Sequence, residues 1–512
     1  MLSVASTEFS AKISDKPAII KDDDILTWSQ LCKKIHYYTR DLEKLKTRRL
    51  LLHLDQDGNS IALLIASTNL NIETILIPSY YPQRETVSFM EKFDGDCVIR
   101  AENENIRIIS TREHGSDRCL ESSEPHVGLL SSGTTGPPKC IRHSWQTLSA
   151  AVKKHERFMT KKWFSGYPVV QFSGLQVFLQ CYLNGGCLII SESPEHARKT
   201  VSRHGVHYLN CTPTYIRQLL MSGNEHMGAS LKHVTLSGEI VDQQVLDLVK
   251  AKLPETRITH IYASSELGAV IETRDGQEGF DAALIDNKRL KMVGEELYVK
   301  PSSRSMTGYL GEEKTDSRWF ATKDFVKIEG NRGFFMGRKD DIINVGGANV
   351  NPHTVESVIR NLDCILEVSV MGHKNPLVGN LVKAAVCIKQ ENDEDEVRQK
   401  IIDTCKEKLP YYMQPRIFDF VDKIDTTQTF KIKRKFPGMT FGWDIPKIRY
   451  NQYNFSDYNE FGEARASLAN LRPPLADMPG YGVFSQYTRS NGESVPQTLS
   501  LILFKCLGYI VT

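Results

Sequence analysis

Apolar residues recur along the chain with two periods, which together predict alternating helices and strands. Thr27 is a good N-cap residue, and one face of the helix predicted after it repeats every three or four positions through Leu31, Ile35, Tyr38, Leu42 and Leu45. The apolar run at 49–54 then predicts a short strand. Further on, predicted strands at 206–211, 234–236 and 258–262 are separated by predicted helices at 214–220 and 241–253. This order favours right-handed βαβ units and a mainly parallel sheet.

The pattern changes in the second half of the chain. Strands predicted at 296–300 and 333–336 have no helix between them, which indicates a β-rich portion. A small α+β pattern follows, with predicted elements at 354–359, 366–370, 382–386, 396–408 and 418–421. We therefore expect an α/β protein in three parts: a large domain with mainly parallel sheets and a β-rich portion (1–339), a small α+β domain (340–440) and a tail of unknown structure (441–512).

Composition excludes several classes of protein. A hydrophobic fraction of 40% is too high for general disorder in a chain of 512 residues. The formal charge of +2 gives no electrostatic reason to expect a nucleic-acid partner. The 11 cysteines are odd in number and form no Cys-x-x-Cys pair, which disfavours a zinc ribbon or a disulfide framework and fits a reducing compartment.

We expect neither end of this sequence to act as a membrane or secretion signal. The first residues lack a basic stretch followed by an apolar run, so we expect no signal peptide. The apolar window at 499–511 is too short for a membrane span and contains Lys505. We expect a cytoplasmic protein with no membrane span.

The strongest local signal is the segment Leu130-Ser-Ser-Gly-Thr-Thr-Gly-Pro-Pro-Lys139. Its backbone N–H groups and hydroxyls could surround phosphate oxygens, with Lys139 as a point charge at the end. It is not a Walker loop, because its two glycines are only three positions apart. An ordinary surface turn is the alternative. The string nevertheless resembles the phosphate loop of the acyl-adenylate-forming enzymes, which include acyl- and aryl-CoA ligases, stand-alone adenylation domains and luciferase.

Other segments resemble this superfamily in the same order along the chain. They are Tyr262-Ala-Ser-Ser-Glu266, Gly294-Glu-Glu-Leu297, Gly308-Tyr-Leu310, Trp319-Phe-Ala-Thr-Lys-Asp324, the stretch from Gly337 to Gly347, Asn351-Pro-His-Thr-Val-Glu356 and Phe430-Lys-Ile-Lys-Arg434. The resemblance covers about residues 25 to 440.

The resemblance implies a role for each matching residue. Phosphate and nucleotide contacts fall on Ser131, Ser132, Gly133, Thr134, Thr135, Gly136, Lys139, Ser237, Gly238, Glu239, Tyr262, Ser265, Asp324 and Arg338. Glu266 would place Mg²⁺, Thr134 would contact phosphate, and Lys431 would bridge the attacking carboxylate and the α-phosphate, with Lys433 as the alternative if the register differs. The alternative interpretation of Lys431 is that it belongs to an ordinary solvent-exposed run of basic residues.

Asp324 and Arg338 would bind the ribose hydroxyls, because a diol can donate to a carboxylate and accept from a neighbouring guanidinium group. Asp340 matches the superfamily's hinge, which implies that the small domain is a mobile lid. Gly346 and Gly347 would line the channel for the thiol arm, although a Gly-Gly pair is also typical of a tight hairpin turn.

Gln171, Phe172 and Ala263 would border the pocket for the acid. This pocket offers no aspartate to hold an α-ammonium group, which disfavours an amino acid and leaves an aromatic or modest-length organic acid.

The sequence also departs from the superfamily pattern. Lys323 and Phe430 stand where glycine is usual, and Cys140 replaces a common glycine after the phosphate loop. Ser265 and Ala263 replace threonine and glycine, and Gln171 stands where CoA ligases usually carry histidine. The resulting hypothesis is an ATP- and Mg²⁺-dependent, AMP-forming ligase that joins a carboxylic acid to CoA. Three alternatives stay open: loading of a separate phosphopantetheinyl carrier protein, a catalytically impaired binding protein, and luciferase-like oxidation.

Overall fold

The computed structural model describes residues 12–102, 105–112, 126–131, 138–221, 227, 230–312, 319–389 and 392–427. The helices in these ranges, in chain order, are α1 (Trp28–Leu45), α2 (Gly58–Asn69), α3 (Gln83–Lys92), α4 (Trp145–Ser149), α5 (Phe172–Tyr182), α6 (Pro194–His204), α7 (Pro213–Met221), α8 (Gln243–Lys252), α9 (Pro352–Arg360) and α10 (Glu394–Lys408). Short 3₁₀ turns lie at Glu156–Phe158, Ala282–Leu284, Lys339–Asp341 and Tyr411–Met413.

Helix α1 begins where its sequence predicts. Thr27 Oγ1 accepts the backbone N–H of Gln30, and the Gln30 side chain accepts the backbone N–H of Thr27 at 2.8 Å. This reciprocal capping satisfies two N–H groups that the helix itself leaves unpaired. The buried face of α1 is formed by Trp28, Leu31, Ile35, Tyr38 and Leu42. The predicted helix is therefore confirmed, with the predicted apolar spacing facing the core.

The strands up to residue 273 are β1 (Pro17–Lys21), β2 (Asp24–Thr27), β3 (Arg49–Leu54), β4 (Glu73–Pro78), β5 (Cys97–Glu102), β6 (Asn105–Thr111), β7 (His126–Leu130), β8 (Cys140–Ser144), β9 (Lys162–Ser165), β10 (Cys187–Ile190), β11 (Tyr208–Cys211), β12 (His233–Ser237), β13 (Arg257–Ser264) and β14 (Gly268–Thr273). Those that follow are β15 (Phe280–Asp281), β16 (Leu290–Val293), β17 (Glu296–Val299), β18 (Gly308–Tyr309), β19 (Phe320–Glu329), β20 (Arg332–Arg338), β21 (Ile343–Val345), β22 (Ala348–Val350), β23 (Ile365–Asn375), β24 (Gly379–Ile388) and β25 (Ile417–Phe420).

Two large sheets form most of the N-terminal part. One has the strand order β14-β13-β12-β11-β9-β10-β1-β2 and the other β18-β8-β7-β4-β3-β5-β6. The central strands of each sheet are parallel. Antiparallel pairs lie towards the edges, and in the second sheet β8 is antiparallel to both of its neighbours, β7 and β18. Residues of α1, α2 and α5 share one buried apolar cluster with both sheets. Because β1, β10, β3 and β4 are covered by helices, they read as continuous apolar runs rather than as alternating ones.

The remaining sheets are smaller. Strands β15-β20-β19-β17-β16 form an antiparallel sheet, which is the β-rich portion predicted from the sequence. Strands β23, β24 and β25 form a three-stranded sheet whose apolar cluster includes residues of α9 and α10. The predicted fold class, a large α/β domain with a small C-terminal α+β domain, is confirmed. The exact boundaries at 339 and 440 stay predictions, and the predicted tail 441–512 lies outside the described residues.

A buried ion-pair network connects the two parts. Arg217 of α7 contacts Asp242 at 2.5 Å, and Arg360 of α9 contacts Glu367 of β23 at 2.9 Å. Two cross-contacts, Arg360 to Asp242 at 3.6 Å and Arg217 to Glu367 at 3.8 Å, link the pairs. Burial alone would raise the pKa of Asp242, but the two guanidinium charges outweigh it and hold that pKa below its usual value.

Every described cysteine is a free thiol, as expected from the scattered spacing. Among the described helices, none combines the length and the apolar character that crossing a membrane requires.

Candidate functional site

The carboxyl ends of the parallel strands β9, β11, β12 and β13 meet at one edge of the eight-stranded sheet. Tyr167, two residues beyond β9, ties these ends together from a buried position. Its hydroxyl contacts the carbonyl of Cys211, the carbonyl of Ser237 at 3.0 Å and the Ser237 hydroxyl at 2.9 Å, and it accepts the Ser237 N–H at 3.1 Å. Burial raises the pKa of Tyr167 well above its usual value, so the phenol stays protonated. Ligands of open α/β sheets bind at such edges.

The predicted nucleotide residues Ser237, Gly238 and Glu239 lie at the end of β12. Gly238 has a φ of 87°, a conformation that side chains other than glycine rarely adopt. The Glu239 carboxylate accepts the N–H of Thr214 at 3.0 Å, at the start of α7. The loop after β12 is thus fixed to the neighbouring helix.

Asp324 lies at the centre of the predicted ribose site. Tyr262 donates its hydroxyl to Asp324 Oδ2 at 2.5 Å, and Arg338 Nε lies 3.5 Å from Asp324 Oδ1. The residues come from three strands, because β19 carries Asp324, β20 carries Arg338 and β13 carries Tyr262. Tyr262 also stacks on Phe335, with ring centroids 4.4 Å apart. The predicted grouping of Asp324 with Arg338 therefore exists, with Tyr262 as a third member.

The protonation of Asp324 is set by competing effects. Burial raises the pKa of its carboxyl group, and the charges of Asp341 and Glu266 raise it further, while Arg338 and the Tyr262 hydrogen bond lower it. The net pKa lies above the usual value.

Glu266 is connected to the base of the phosphate loop through Tyr309. The Tyr309 hydroxyl donates to Glu266 Oε1 at 3.2 Å, and Lys139 Nζ lies 4.8 Å from the centre of the Tyr309 ring. Lys139 also pairs with Glu312 at 2.8 Å. Burial raises the pKa of Tyr309 above its usual value, with Glu266 as the next cause, so its hydroxyl is a hydrogen-bond donor.

The two ends of the phosphate loop pair with each other. Ser131 N–H donates to the Lys139 carbonyl at 2.8 Å, and Lys139 N–H donates to Ser131 Oγ at 2.9 Å. The tip of the loop, with Ser132, Gly133, Thr134, Thr135 and Gly136, lies outside the described residues, as does Lys431.

Cys140, one of the departures from the superfamily pattern, is buried after this loop. A Cβ atom on Gly128 would lie 2.5 Å from its sulfur, so the glycine on β7 makes room for the thiol. Burial raises the pKa of Cys140 to about 12, which makes it a packing residue rather than a nucleophile.

His143 holds the turn that carries Ser265 and Glu266. The side chain is 0% exposed, and its Nε2 lies 2.7 Å from the Ser265 carbonyl. Since a carbonyl only accepts, the proton is on Nε2. The other ring nitrogen, Nδ1, lies 3.2 Å from Thr147 Oγ1. Burial lowers the pKa of His143 to about 4, so the ring is neutral at pH 7. The same ring lies 5.4 Å from that of Phe172.

The predicted acid pocket is not tested by these contacts. Gln171 is the residue before α5, Phe172 is the first residue of that helix, and Ala263 lies at a register shift between β13 and β14. Through His143, Phe172 is joined to the turn at Ser265. The roles of Gln171, Phe172 and Ala263 in binding an acid stay predictions.

Gly346 and Gly347 form the two-residue turn of the hairpin β21–β22, with φ values of 58° and 91°. The turn predicted as an alternative is thus present, since two consecutive positive φ angles require a turn of this kind. A Cβ atom on Gly347 would meet nothing within 4 Å. The requirement for glycine comes from the backbone angles, and the thiol-channel role stays a prediction. Asp340 lies in the 3₁₀ turn between β20 and β21.

The donor set was tested for a metal. No group of three or more His, Cys, Asp or Glu side chains in the described ranges could hold a metal ion. Mg²⁺ is typically bound by one or two carboxylates together with substrate phosphates, and it keeps several waters. Glu266 beside the phosphate loop fits that pattern.

Three residues of the site were missed by the sequence reasoning: His143, Tyr167 and Tyr309. Tyr309 belongs to the segment Gly308-Tyr-Leu310, whose resemblance to the superfamily was a signal that it could lie in the site. His143 and Tyr167 are polar residues in apolar surroundings, and a single sequence gives no sign that their partners are backbone carbonyls of distant segments.

Two protein-family profiles match the chain. The profile of the AMP-binding enzyme family matches residues 7–301, and that of the AMP-binding enzyme C-terminal domain matches residues 354–431. The chain is 26% identical over 341 residues to acetyl-coenzyme A synthetase of Bacillus subtilis, covering 59% of each protein. It is 24% identical over 349 residues to the D-alanine–D-alanyl carrier protein ligase of Staphylococcus aureus, covering 62% of this chain and 72% of the relative.

Among solved structures, the anthranilate CoA ligase AuaEII in complex with anthranoyl-AMP superposes with a TM-score of 0.69 at 18% identity, covering 84% of this chain and 95% of that one. This likeness establishes a shared fold. Since the first profile alone spans more than half of the sequence, the chain belongs to the AMP-binding enzyme family.

Proposed function

We propose that the protein is an ATP-dependent, AMP-forming ligase that activates a carboxylic acid as an acyl-adenylate and transfers the acyl group to the thiol of CoA. The observation that carries the proposal is a pair of contact groups: Asp324 contacts Arg338 and Tyr262, and Glu266 contacts Tyr309, whose ring lies 4.8 Å from Lys139 Nζ at the base of the phosphate loop. The first group offers an acceptor for a ribose diol, and the second offers a carboxylate for a phosphate-bound cation.

The first step requires an acid oxygen to attack the α-phosphorus of ATP. A new O–P bond forms, the bond to the bridging oxygen breaks, and pyrophosphate leaves with that oxygen. Two anions must approach each other, so the protein contributes mainly positioning and charge neutralisation. Asp324 and Arg338 would hold the ribose, Tyr167 and His143 would fix the surrounding turns, and Lys431 would bridge the acid and the α-phosphate. Mg²⁺ held by Glu266 would supply positive charge at the phosphates.

In the second step, the CoA thiol gives its proton to solvent water and its sulfur attacks the acyl carbon. The C–O bond to AMP breaks, and AMP leaves with an oxygen that came from the acid. A rotation about the turn at Lys339–Asp341 would bring the small domain to its second position, and Gly346 and Gly347 would then border the path of the thiol.

The chemistry of the pocket favours an aromatic or modest-length acid. The predicted wall at 171–173 contains no carboxylate, and an α-ammonium group buried without one would be costly. Phe172, packed against the neutral His143, supplies an apolar surface instead.

A separate carrier protein is the second candidate acceptor. It is favoured by the similarity to the carrier protein ligase of Staphylococcus aureus, of which 72% is covered. A holo-carrier presents the same pantetheine thiol as CoA, so both acceptors would use the same channel.

ATP–pyrophosphate exchange with a panel of aryl, short-chain and medium-chain acids tests the proposal. We expect exchange with one acid class and a loss of about 10²- to 10³-fold in Lys431→Ala, the usual effect of removing one such donor. Lys435→Ala, in the same basic run, is the matched control and should keep full exchange. ATP binding without exchange for any acid would instead favour the impaired, binding-only alternative.

A further inference from the structure

Lys323 has a backbone conformation that suits glycine better than lysine. Its φ is 62°, in the left-handed region. A lysine there is strained relative to glycine, because its Cβ crowds the following carbonyl group. The lysine therefore needs a compensating interaction.

The Lys323 side chain makes such an interaction with Asp340. Its Nζ lies 3.1 Å from Asp340 Oδ2 and 3.4 Å from Oδ1. The backbone N–H of Lys323 donates to Glu296 Oε1 at 3.1 Å, and the other oxygen of Glu296 lies 3.8 Å from Lys339 Nζ. Two pairs of opposite charge therefore tie the turn Lys339–Asp341 to strands β17 and β19.

This turn is the covalent connection between the antiparallel sheet and the hairpin that precedes α9. A rotation about the φ bond of Asp340 would carry its Cβ and carboxylate away from Lys323. The pair must then break, whereas a rotation about ψ would leave it intact.

We propose that Lys323 is a positioning residue that holds the carboxylate of Asp340. It thereby favours the conformation that the turn Lys339–Asp341 has in the structure over the conformations that rotation about φ of Asp340 would produce. The proposal rests on the proposed function, because the pair would affect the change of conformation between adenylate formation and thioester formation.

The strength of the pair is limited by its exposure. The Lys323 side chain is 52% exposed and that of Asp340 is 30% exposed. Pairs of this kind shift an equilibrium by about 1.5- to 5-fold and weaken as salt rises. The same exposure means that substitutions at either position should not prevent folding.

Hydrogen exchange of amides 339–342 in the full chain, without substrates, tests the pair directly. Lys323→Met and Asp340→Asn should each raise the exchange rate by about 1.5- to 5-fold. The double variant should show no further rise, and the charge swap Lys323→Asp with Asp340→Lys should return the rate towards wild type. Lys327→Met is the matched control, because it breaks an exposed pair with Glu329 on the same strand and should leave these amides unchanged.

The catalytic readout is the rate of thioester formation divided by the rate of pyrophosphate exchange. Both single variants should change this ratio in the same direction and by about the same factor, and the swap should restore it. A merely structural role would lower both rates together and leave the ratio constant.

Unchanged exchange of amides 339–342, additive effects in the double variant, or no recovery in the swap would overturn the proposal. Wild-type protein without pyrophosphate exchange would refute the proposed function, while the amide measurement would still decide the role of Lys323.

Discussion

Replacing His143 by phenylalanine tests whether this buried ring positions the turn at Ser265 and Glu266. The ring would remain against Phe172, which lies 5.4 Å away, but the donor to the Ser265 carbonyl would be lost. His143→Gln is the matched variant, because its side-chain amide can still donate to that carbonyl but does not titrate.

The magnitude follows from the buried hydrogen bond and from the histidine pKa. A buried carbonyl left without its donor costs about 1–3 kcal/mol, so at pH 7 His143→Phe should be less stable than wild type by that amount. In the wild type, the pKa of His143 falls from 6.5 to about 4 on folding. At about 1.36 kcal/mol per pKa unit, this corresponds to about 3 kcal/mol.

The sign of this pH effect is fixed by the lowered pKa. The neutral ring is favoured in the folded state, so its full contribution is present above pH 6.5 and is lost as the pH falls towards about 4. The difference in stability between wild type and His143→Phe should therefore shrink on acidification.

Urea denaturation of the wild type and both variants between pH 4.5 and 8 would measure these differences. Pyrophosphate exchange at pH 7.5 supplies the functional readout, with a loss in His143→Phe and recovery in His143→Gln. A stability difference that stays constant over this pH range, or equal activity losses in the two variants, would refute the reasoning.

Three further predictions concern other parts of the site. Asp324→Asn removes the charge that would accept the ribose hydroxyls, so the KM for ATP should rise by about 10- to 100-fold in steady-state kinetics. Burial is the main cause that raises the pKa of this carboxyl group, so the wild-type KM should also rise at low pH, where the group takes up a proton. Tyr309→Phe removes the 3.2 Å hydrogen bond to Glu266, and a magnesium titration should show an approximately 2- to 10-fold higher half-saturating concentration. Arg360→Met leaves Glu367 without its closest cation, and denaturation should show a loss of about 3–5 kcal/mol, as for other broken buried pairs. An unchanged KM, magnesium requirement or stability, respectively, would contradict each prediction.

Much of the fold could be predicted from local sequence signals. The cap at Thr27, the predicted strand at 49–54 and the alternation from residue 206 to 262 depend on neighbouring residues alone, and all three are present in the structure. The strand order β13-β12-β11-β9-β10-β1 could not be predicted in this way, because it depends on pairings between distant segments, such as Ile19 of β1 with Leu188 of β10, about a third of the chain apart.

The same distinction between local signals and distant contacts applies to the site. The resemblance of the motifs predicted Asp324, Arg338 and Glu266 as site residues, and the structure brings Arg338 Nε to 3.5 Å from Asp324 Oδ1. The contacts of Tyr167 and His143 join their side chains to carbonyl groups of remote segments, and no local pattern encodes such a partner. The pairing of Lys323 with Asp340 likewise depends on the register in which β19 lies beside β20.

The most direct test of the account follows oxygen from the acid into AMP. The acid that supports the most pyrophosphate exchange would be labelled with ¹⁸O in its carboxylate and incubated with the protein, ATP, Mg²⁺ and CoA, and the AMP would be analysed by mass spectrometry. If the acyl-adenylate forms, one labelled oxygen appears in each AMP, because the bridging oxygen of the adenylate comes from the acid. AMP without the label would contradict the proposed reaction.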